Sequence, residues 1–225
     1  MSKRKLKSFA ETFTFHNFFQ PTYPELINGF PLKGKWNMDF FKNENPIIIE
    51  LGCGKGEYTV GLAKKHPENN YIGMDLKGAR MWRGCKTSVE NDYKNVAFIR
   101  HRIELLEHFF SQNELSEIWI TFPDPQPKIA KRRLTSPRFL NTYKNILKPD
   151  GIIHLKTDNI DLFNYTLEII KENDHKLLLK TNDFHNSKLD DEIKHIQTFY
   201  EKMFIEKGIS INYLEFRLKS DDKEY

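Results

Sequence analysis

At 225 residues, with 39% apolar and 29% charged content, the chain is long enough for one sizeable α/β domain and has the composition of a soluble globular protein. No apolar run approaches the roughly 18 residues of a membrane span, and the basic start, Lys3-Arg4-Lys5-Leu6-Lys7, lacks a signal-peptide stretch. The two cysteines, Cys53 and Cys85, suit neither a disulfide framework nor a zinc site, so the expected location is the reducing cytoplasm.

The first 45 residues are poorly periodic and rich in phenylalanine (Phe9, Phe13, Phe15, Phe18, Phe19). They read as an extension that wraps the core or orders with a partner, ahead of a domain over 46–220. A buried strand is expected near 46–51, where Pro46-Ile47-Ile48-Ile49 leads into Glu50-Leu51-Gly52-Cys53-Gly54-Lys55-Gly56. Glycine serves where a backbone turns sharply or a ligand comes close. Dinucleotide sites space their glycines G-x-G-x-x-G, with a pyrophosphate on a helix N-terminus. Here the spacing is G-x-G-x-G, with an acid before the turn. That suits a cationic ligand without phosphate, such as S-adenosylmethionine (SAM). The plainer reading is a glycine turn with no ligand.

A helix near 57–66, the turn Pro67-Glu68-Asn69-Asn70 and a strand near 71–75 follow, the strand ending in Asp75. An acid at that tip can accept hydrogen bonds from both ribose hydroxyls, or it can cap the helix expected over 77–92. Further strands near 96–101, 117–122 and 151–157 alternate with helices near 103–110, 136–148 and 159–173. A short strand near 175–181, a helix near 193–207 and a strand over 209–218 complete the chain. Such alternation predicts a Rossmann-like fold with a mostly parallel seven-stranded sheet, an antiparallel C-terminal strand, and helices on both faces. The last two strands read as a hairpin.

Strand 117–122 runs into Phe122-Pro123-Asp124-Pro125-Gln126-Pro127-Lys128 and then Lys131-Arg132-Arg133. Prolines around an aspartate fix that carboxylate in its loop. The net charge is only +4, yet Gln126 to Lys148 carries Lys128, Lys131, Arg132, Arg133, Arg138, Lys144 and Lys148 with no acid. The first ten residues are likewise basic without an acid. These blocks suggest a polyanionic partner, against the plainer reading of a solvated helix face and a tail.

Together with His154-Leu155-Lys156-Thr157-Asp158-Asn159 and Thr198-Phe199-Tyr200-Glu201, these motifs occur in an order and spacing that resembles the bacterial tRNA (guanine-N7)-methyltransferase family over about residues 45 to 218. The resemblance implies a SAM-dependent methyltransferase that modifies the guanine at tRNA position 46, in the variable loop. By matching motif it implies that Glu50, Gly52, Gly54, Gly56 and Asp75 hold SAM. It also implies that Asp124 lies at the reaction centre beside the cofactor, and that Lys128, Asp158, Thr198 and Glu201 contact the substrate. Lys131, Arg132 and Arg133 would hold the tRNA backbone.

Two positions depart from the family pattern. Gln126 stands where the family usually has Trp. Arg102 stands where it usually has an Asp that helps hold adenine; Arg102 then contributes its backbone to the cofactor, or Glu104 substitutes, or stacking suffices. Asp158 could instead cap helix 159–173, and Thr198 with Glu201 has the pattern of a capping box. His154 reads as a packing residue, and no metal is expected. The expected assembly is a monomer or homodimer without an obligate protein partner. The rival readings are a SAM-dependent N-methyltransferase with another substrate, and an inactive RNA-binding relative.

Overall fold

The computed structural model describes residues 3–188, 194 and 196–220. Its centre is an eight-stranded sheet: β1 (Phe18–Phe19), β2 (Ile47–Leu51), β3 (Asn70–Asp75), β4 (Val96–Arg100), β5 (Leu115–Thr121), β6 (Leu147–Thr157), β7 (Lys176–Thr181) and β8 (Asn212–Arg217). The strand order is β1-β4-β3-β2-β5-β6-β8-β7. Strands β1 to β6 pair in parallel, and β8 runs antiparallel to both β6 and β7.

The mostly parallel sheet with its antiparallel C-terminal strand is the arrangement expected from the alternating pattern. Several details differ. Strand β1 is an eighth strand; two residues are too short to show a period-two pattern. Strand β6 begins at Leu147, where it pairs with Leu115 ahead of an irregularity in register. Strands β7 and β8 are separated by residues 182–211, so they form no tight hairpin. The helix expected from 193 begins at Phe199, and residues 193 and 195 lie outside the described set.

Period-two alternation assigns the side chains of β2. Ile47, Ile49 and Leu51 enter one apolar layer with Leu106, Phe139, Tyr143 and Leu162. The opposite layer takes Ile48 with Tyr58 and Leu62 of α3 (Glu57–Lys65) and Met81 and Cys85 of α4 (Gly78–Glu90). Glu50 therefore faces α3. Helices α6 (Pro137–Ile146) and α7 (Ile160–Glu172) cover the first face.

The N-terminal segment packs against both layers. Trp36 is fully buried, donates from Nε1 to the Phe109 carbonyl at 3.0 Å, and stacks on Phe110. The side chains of Trp82 and Lys86 on α4 both donate to Glu11, which fastens α1 (Lys3–Glu11) to that helix. Cys53 and Cys85 are free thiols, and burial pushes both above their ordinary pKa. Among the described residues, no helix is long and apolar enough to cross a membrane.

Candidate active site

The strand order reverses at β2, which has β3 on one side and β5 on the other. In open α/β sheets the crevice at such a switch point, beyond the carboxyl ends of the strands, is where ligands bind. A cavity of about 340 Å³ lies there, lined by Glu50, Gly52, Gly54, Asp75, Thr121, Phe122 and Thr198, with Lys55, Glu57, Arg80, Phe199 and Tyr200 among its walls.

Glu50 is 3% exposed. It accepts from the Thr59 backbone N–H at 2.9 Å and from the Thr59 hydroxyl on α3, and from the Thr121 hydroxyl on β5 at 2.5 Å. Burial raises its pKa to about 7, against these hydrogen bonds, which favour the ionised form.

The glycine turn is closed by backbone bonds from Gly52 and Cys53 to the Met74 carbonyl, at 2.8 and 3.1 Å. Gly52, Gly54 and Gly56 all have positive φ. A Cβ on Gly52 would meet open space, whereas one on Gly56 would lie 2.5 Å from the Phe98 ring. Gly52 and Gly54 thus present backbone to the cavity, while Gly56 provides close packing beneath it. Asp75 accepts from the Gly54 N–H at 3.0 Å and from the Lys77 N–H at 2.8 Å. It ties the turn to the approach of α4 and still lines the cavity.

These residues fit SAM. Bare glycine backbone lies between two carboxylates, and each carboxylate oxygen has two lone pairs for an ammonium or ribose hydroxyls. The Thr59 and Thr121 anchors of Glu50 were not singled out from sequence. They are 9 and 71 positions away, and only the fold brings them together.

Asp124 is exposed. It follows cavity-lining Phe122 by two positions and accepts from the Gln126 N–H at 3.0 Å. Phe122 and Gln126 both hold positive φ, of 48° and 44°. That is a strained conformation for residues with side chains, of the kind found at functional loops. The Phe122 N–H donates to the Lys156 carbonyl at 2.8 Å, so the proline loop leaves the sheet beside β6. Asp158 emerges from the end of β6, half-buried and without a hydrogen-bond or ion-pair partner among the described residues. The cap of α7 is Asn159, whose side chain accepts from the Leu162 N–H at 2.8 Å.

Lys128, Lys131 and Arg132 are exposed. Arg133 is not. Its Nε donates to the Pro125 carbonyl at 3.1 Å and its guanidinium lies 4.3 Å from the centre of the Tyr165 ring, so it braces the proline loop.

Thr198 caps α8 (Phe199–Glu206), accepting from the Glu201 N–H at 3.1 Å. The Phe199 N–H donates to Glu57 at 2.9 Å, and Lys55 sits over the Phe199 ring, which docks α8 on the glycine turn. Glu201, which the resemblance implies as a substrate contact, has a buried side chain. Both it and Lys156 are fully buried, paired at 2.8 Å beneath the cavity, and His185 Nε2 approaches the same carboxylate oxygen at 3.0 Å. Burial lowers the Lys156 pKa, and the Glu201 charge opposes that shift. Lys156 also lies over the Tyr58 and Phe184 rings.

Arg102 lies in the loop after β4. Its side chain is exposed and lines a neighbouring cavity with Leu76, Arg100 and Arg138, outside the cavity of Glu50 and Asp75. His154 is buried and stacked on Trp119 with ring centroids 3.9 Å apart, a packing role as expected. Among the described residues, no group of three His, Cys, Asp or Glu could hold a metal ion.

Comparison with known proteins first defines the class. The 16S rRNA methyltransferase KamB shares the fold, with a TM-score of 0.65 at 12% identity over 81% of this chain and 92% of that one. A 30S ribosomal A1408 methyltransferase from an uncultured bacterium gives 0.57 at 16% identity, with 81% and 92% coverage. A family model described as a putative methyltransferase matches residues 44–214.

Curated relatives are more specific. A protein from Christiangramia forsetii named tRNA (guanine-N(7)-)-methyltransferase is 53% identical over 97% of this chain and 99% of its own length. One of the same name from Bacteroides thetaiotaomicron is 47% identical over 98% and 88%. The chain belongs to the tRNA (guanine-N7)-methyltransferase family.

Proposed function

We infer that this protein transfers the methyl group of SAM to N7 of a guanine in tRNA, at position 46 of the variable loop. One observation supports this most directly. A cavity with a carboxylate at each side of bare glycine backbone shares a sheet edge with a proline-held aspartate and exposed cations.

SAM supplies a methyl group on a sulfonium. Glu50 and Asp75 favour its positive charge and ribose, and the Gly52 and Gly54 backbone permits close approach. Guanine N7 carries a lone pair and no proton at neutral pH. It forms the new bond to the methyl carbon as the carbon–sulfur bond breaks, and that electron pair stays on sulfur. No proton moves, so no general base is required. Positive charge passes to the purine. Asp124 places negative charge near the cation as it forms.

Alignment supplies several kcal/mol of the acceleration. Because N7 lies on the major-groove edge, the base must be unstacked to reach the site. Asp158 is an acceptor for guanine N1 and N2 protons, with Lys128 beside the substrate. Lys131 and Arg132 meet the backbone in a salt-dependent contact. Thr198 holds the α8 wall, and Glu201 supports it from below. The protein acts in the cytoplasm, as a monomer or homodimer without an obligate protein partner.

The test is transfer from labelled SAM to two unmodified transcripts, one with guanine and one with 7-deazaguanine at the variable-loop site. Label on the first alone is expected. Label on both moves the target to another atom. Label on neither, with SAM and tRNA bound, favours an inactive RNA-binding relative.

A further inference from the structure

One peptide unit joins Arg133 to Asp124. The Pro125 carbonyl accepts from Arg133 Nε at 3.1 Å, and the N–H of the same peptide, that of Gln126, donates to Asp124 Oδ1 at 3.0 Å. A trans peptide is planar and rigid, with its carbonyl and N–H pointing opposite ways. Turning this one breaks both bonds together. Arg133 therefore fixes the group that orients the Asp124 carboxylate.

The peptide needs such a hold. Gln126 has a φ of 44°, a region sparsely populated by residues with side chains, and it persists only where the surroundings enforce it. Released from Arg133, the peptide is expected to turn and to carry Asp124 with it.

The clamp is anchored on α7. The Arg133 guanidinium lies 4.3 Å from the centre of the half-buried Tyr165 ring. The buried hydroxyls of Thr135 and Thr166 share a hydrogen bond of 2.8 Å. Two adjacent residues of one helix thus hold the end of the loop. That helix begins at Ile160, directly behind Asp158. Tyr165 follows Asp158 by about two helical turns. One rigid element therefore carries Asp158 at its start and the grip on Asp124 farther along.

A guanidinium suits this place because its edge donates to the carbonyl while its face meets the ring; an ammonium has no face. We propose that Arg133 and Tyr165 are positioning residues for methyl transfer. Through the Pro125–Gln126 peptide they set the Asp124 carboxylate, and through α7 they fix its distance from Asp158. The third cation of Lys131-Arg132-Arg133 then serves the acceptor carboxylates and makes no contact with the tRNA backbone. This rests on Asp124 acting at the reaction centre of a tRNA methyltransferase.

The test is single-turnover transfer from labelled SAM to a tRNA transcript, both saturating, with tRNA binding across a salt series and melting temperature alongside. The variants are Arg133→Ala, Arg133→Lys, Tyr165→Leu and Asp124→Asn, with the first and third also combined with Asp124→Asn. Lys131→Ala is the reference for a backbone contact. Arg133→Ala is expected to slow transfer by about 10- to 100-fold, the scale of a misplacement that begins away from the chemistry. Tyr165→Leu is expected to slow it by about two- to fivefold. In the Asp124→Asn background either change is expected to cost little, because each acts only through that carboxylate. Arg133→Lys keeps the charge and loses the planar fork, so it is expected to stay as slow as Arg133→Ala. The log–log salt slope holds at the wild-type value for both Arg133 variants and becomes shallower by about one for Lys131→Ala.

Equal costs with and without Asp124 overturn the proposal, as does an Asp124→Asn variant as fast as wild type. Recovery by Arg133→Lys, or a shallower slope for Arg133→Ala, also overturns it and returns the residue to the tRNA. If Arg133→Ala does not fold, Tyr165→Leu decides by the same cycle. A cost confined to protein with Asp124 supports the clamp, and an equal cost in both backgrounds overturns it. Wild-type protein that labels no tRNA would overturn the functional reading itself, which is distinct from an active wild type whose Arg133 cost is independent of Asp124.

Discussion

Around Glu50 the polar groups are already held, whereas Asp124 stands in the open with one backbone partner. Glu50 takes hydrogen bonds from two threonines on two elements, and Asp75 closes onto the glycine turn. Asp124 is exposed, with Phe122 and Gln126 strained on either side. The donor half is preorganised by burial. The acceptor half is preorganised only in its backbone, through proline and strain, and RNA must complete its surroundings. Damage to the first half should therefore show as lost stability, and damage to the second as lost turnover.

The largest effect is expected beneath α8. Lys156→Ala leaves Glu201 buried without its cation and should cost about 3–5 kcal/mol in chemical denaturation. The double change Lys156→Met with Glu201→Leu should recover most of that stability. Failure to recover would mean that the pair is more than a structural anchor.

Asp124→Asn tests the open half. Turnover on tRNA should fall by about 10²–10³, the range for losing one preorganised electrostatic group. SAM affinity and melting temperature should not change. Equal loss of turnover and SAM affinity would remove Asp124 from the acceptor side.

Gly56→Ala returns to the preformed half. Positive φ and the Phe98 ring together should cost about 2–3 kcal/mol of stability. Gly52→Ala faces open space, so backbone strain alone should cost about 1–2 kcal/mol. Similar values for both would deny Gly56 its packing role.

The smallest effect is on pH. The Glu50 pKa is raised from 4.5 to about 7 in the fold, so the folded state holds a proton that the unfolded chain releases. Stability from this group is full below 4.5 and is lost as pH rises towards 7. Binding of a cationic donor runs the opposite way, because it favours the ionised form. SAM affinity should rise with pH by at most about tenfold per unit below neutrality and then level off. Glu50→Gln should flatten that profile in calorimetry.

Local sequence carried much of the fold and part of the site. The Ile47–Glu50 run, the glycine spacing and Asp75 mark a strand, a turn and a second strand tip within 30 residues, and all meet at one cavity. Asp158 and Asn159 show the limit. Both can cap a helix, and the backbone selects Asn159. The Thr198 motif indicated capping and substrate contact alike. Thr198 caps and lines the cavity, while Glu201 turns inward.

Sequence by itself determined the alternation of strands and helices, the glycine turn between two acids, the proline-fixed Asp124 and the basic block that follows. Each depends on short-range backbone preference or on composition. Tertiary structure decided the direction in which side chains point. Glu201 is buried because Lys156, 45 positions earlier, lies beneath it. Glu50 is anchored because Thr121 arrives on the neighbouring strand. Arg102 shares a cavity with Arg138, 36 positions later on α6. Charge and burial are set by what the fold brings near, and such neighbours are distant in the chain.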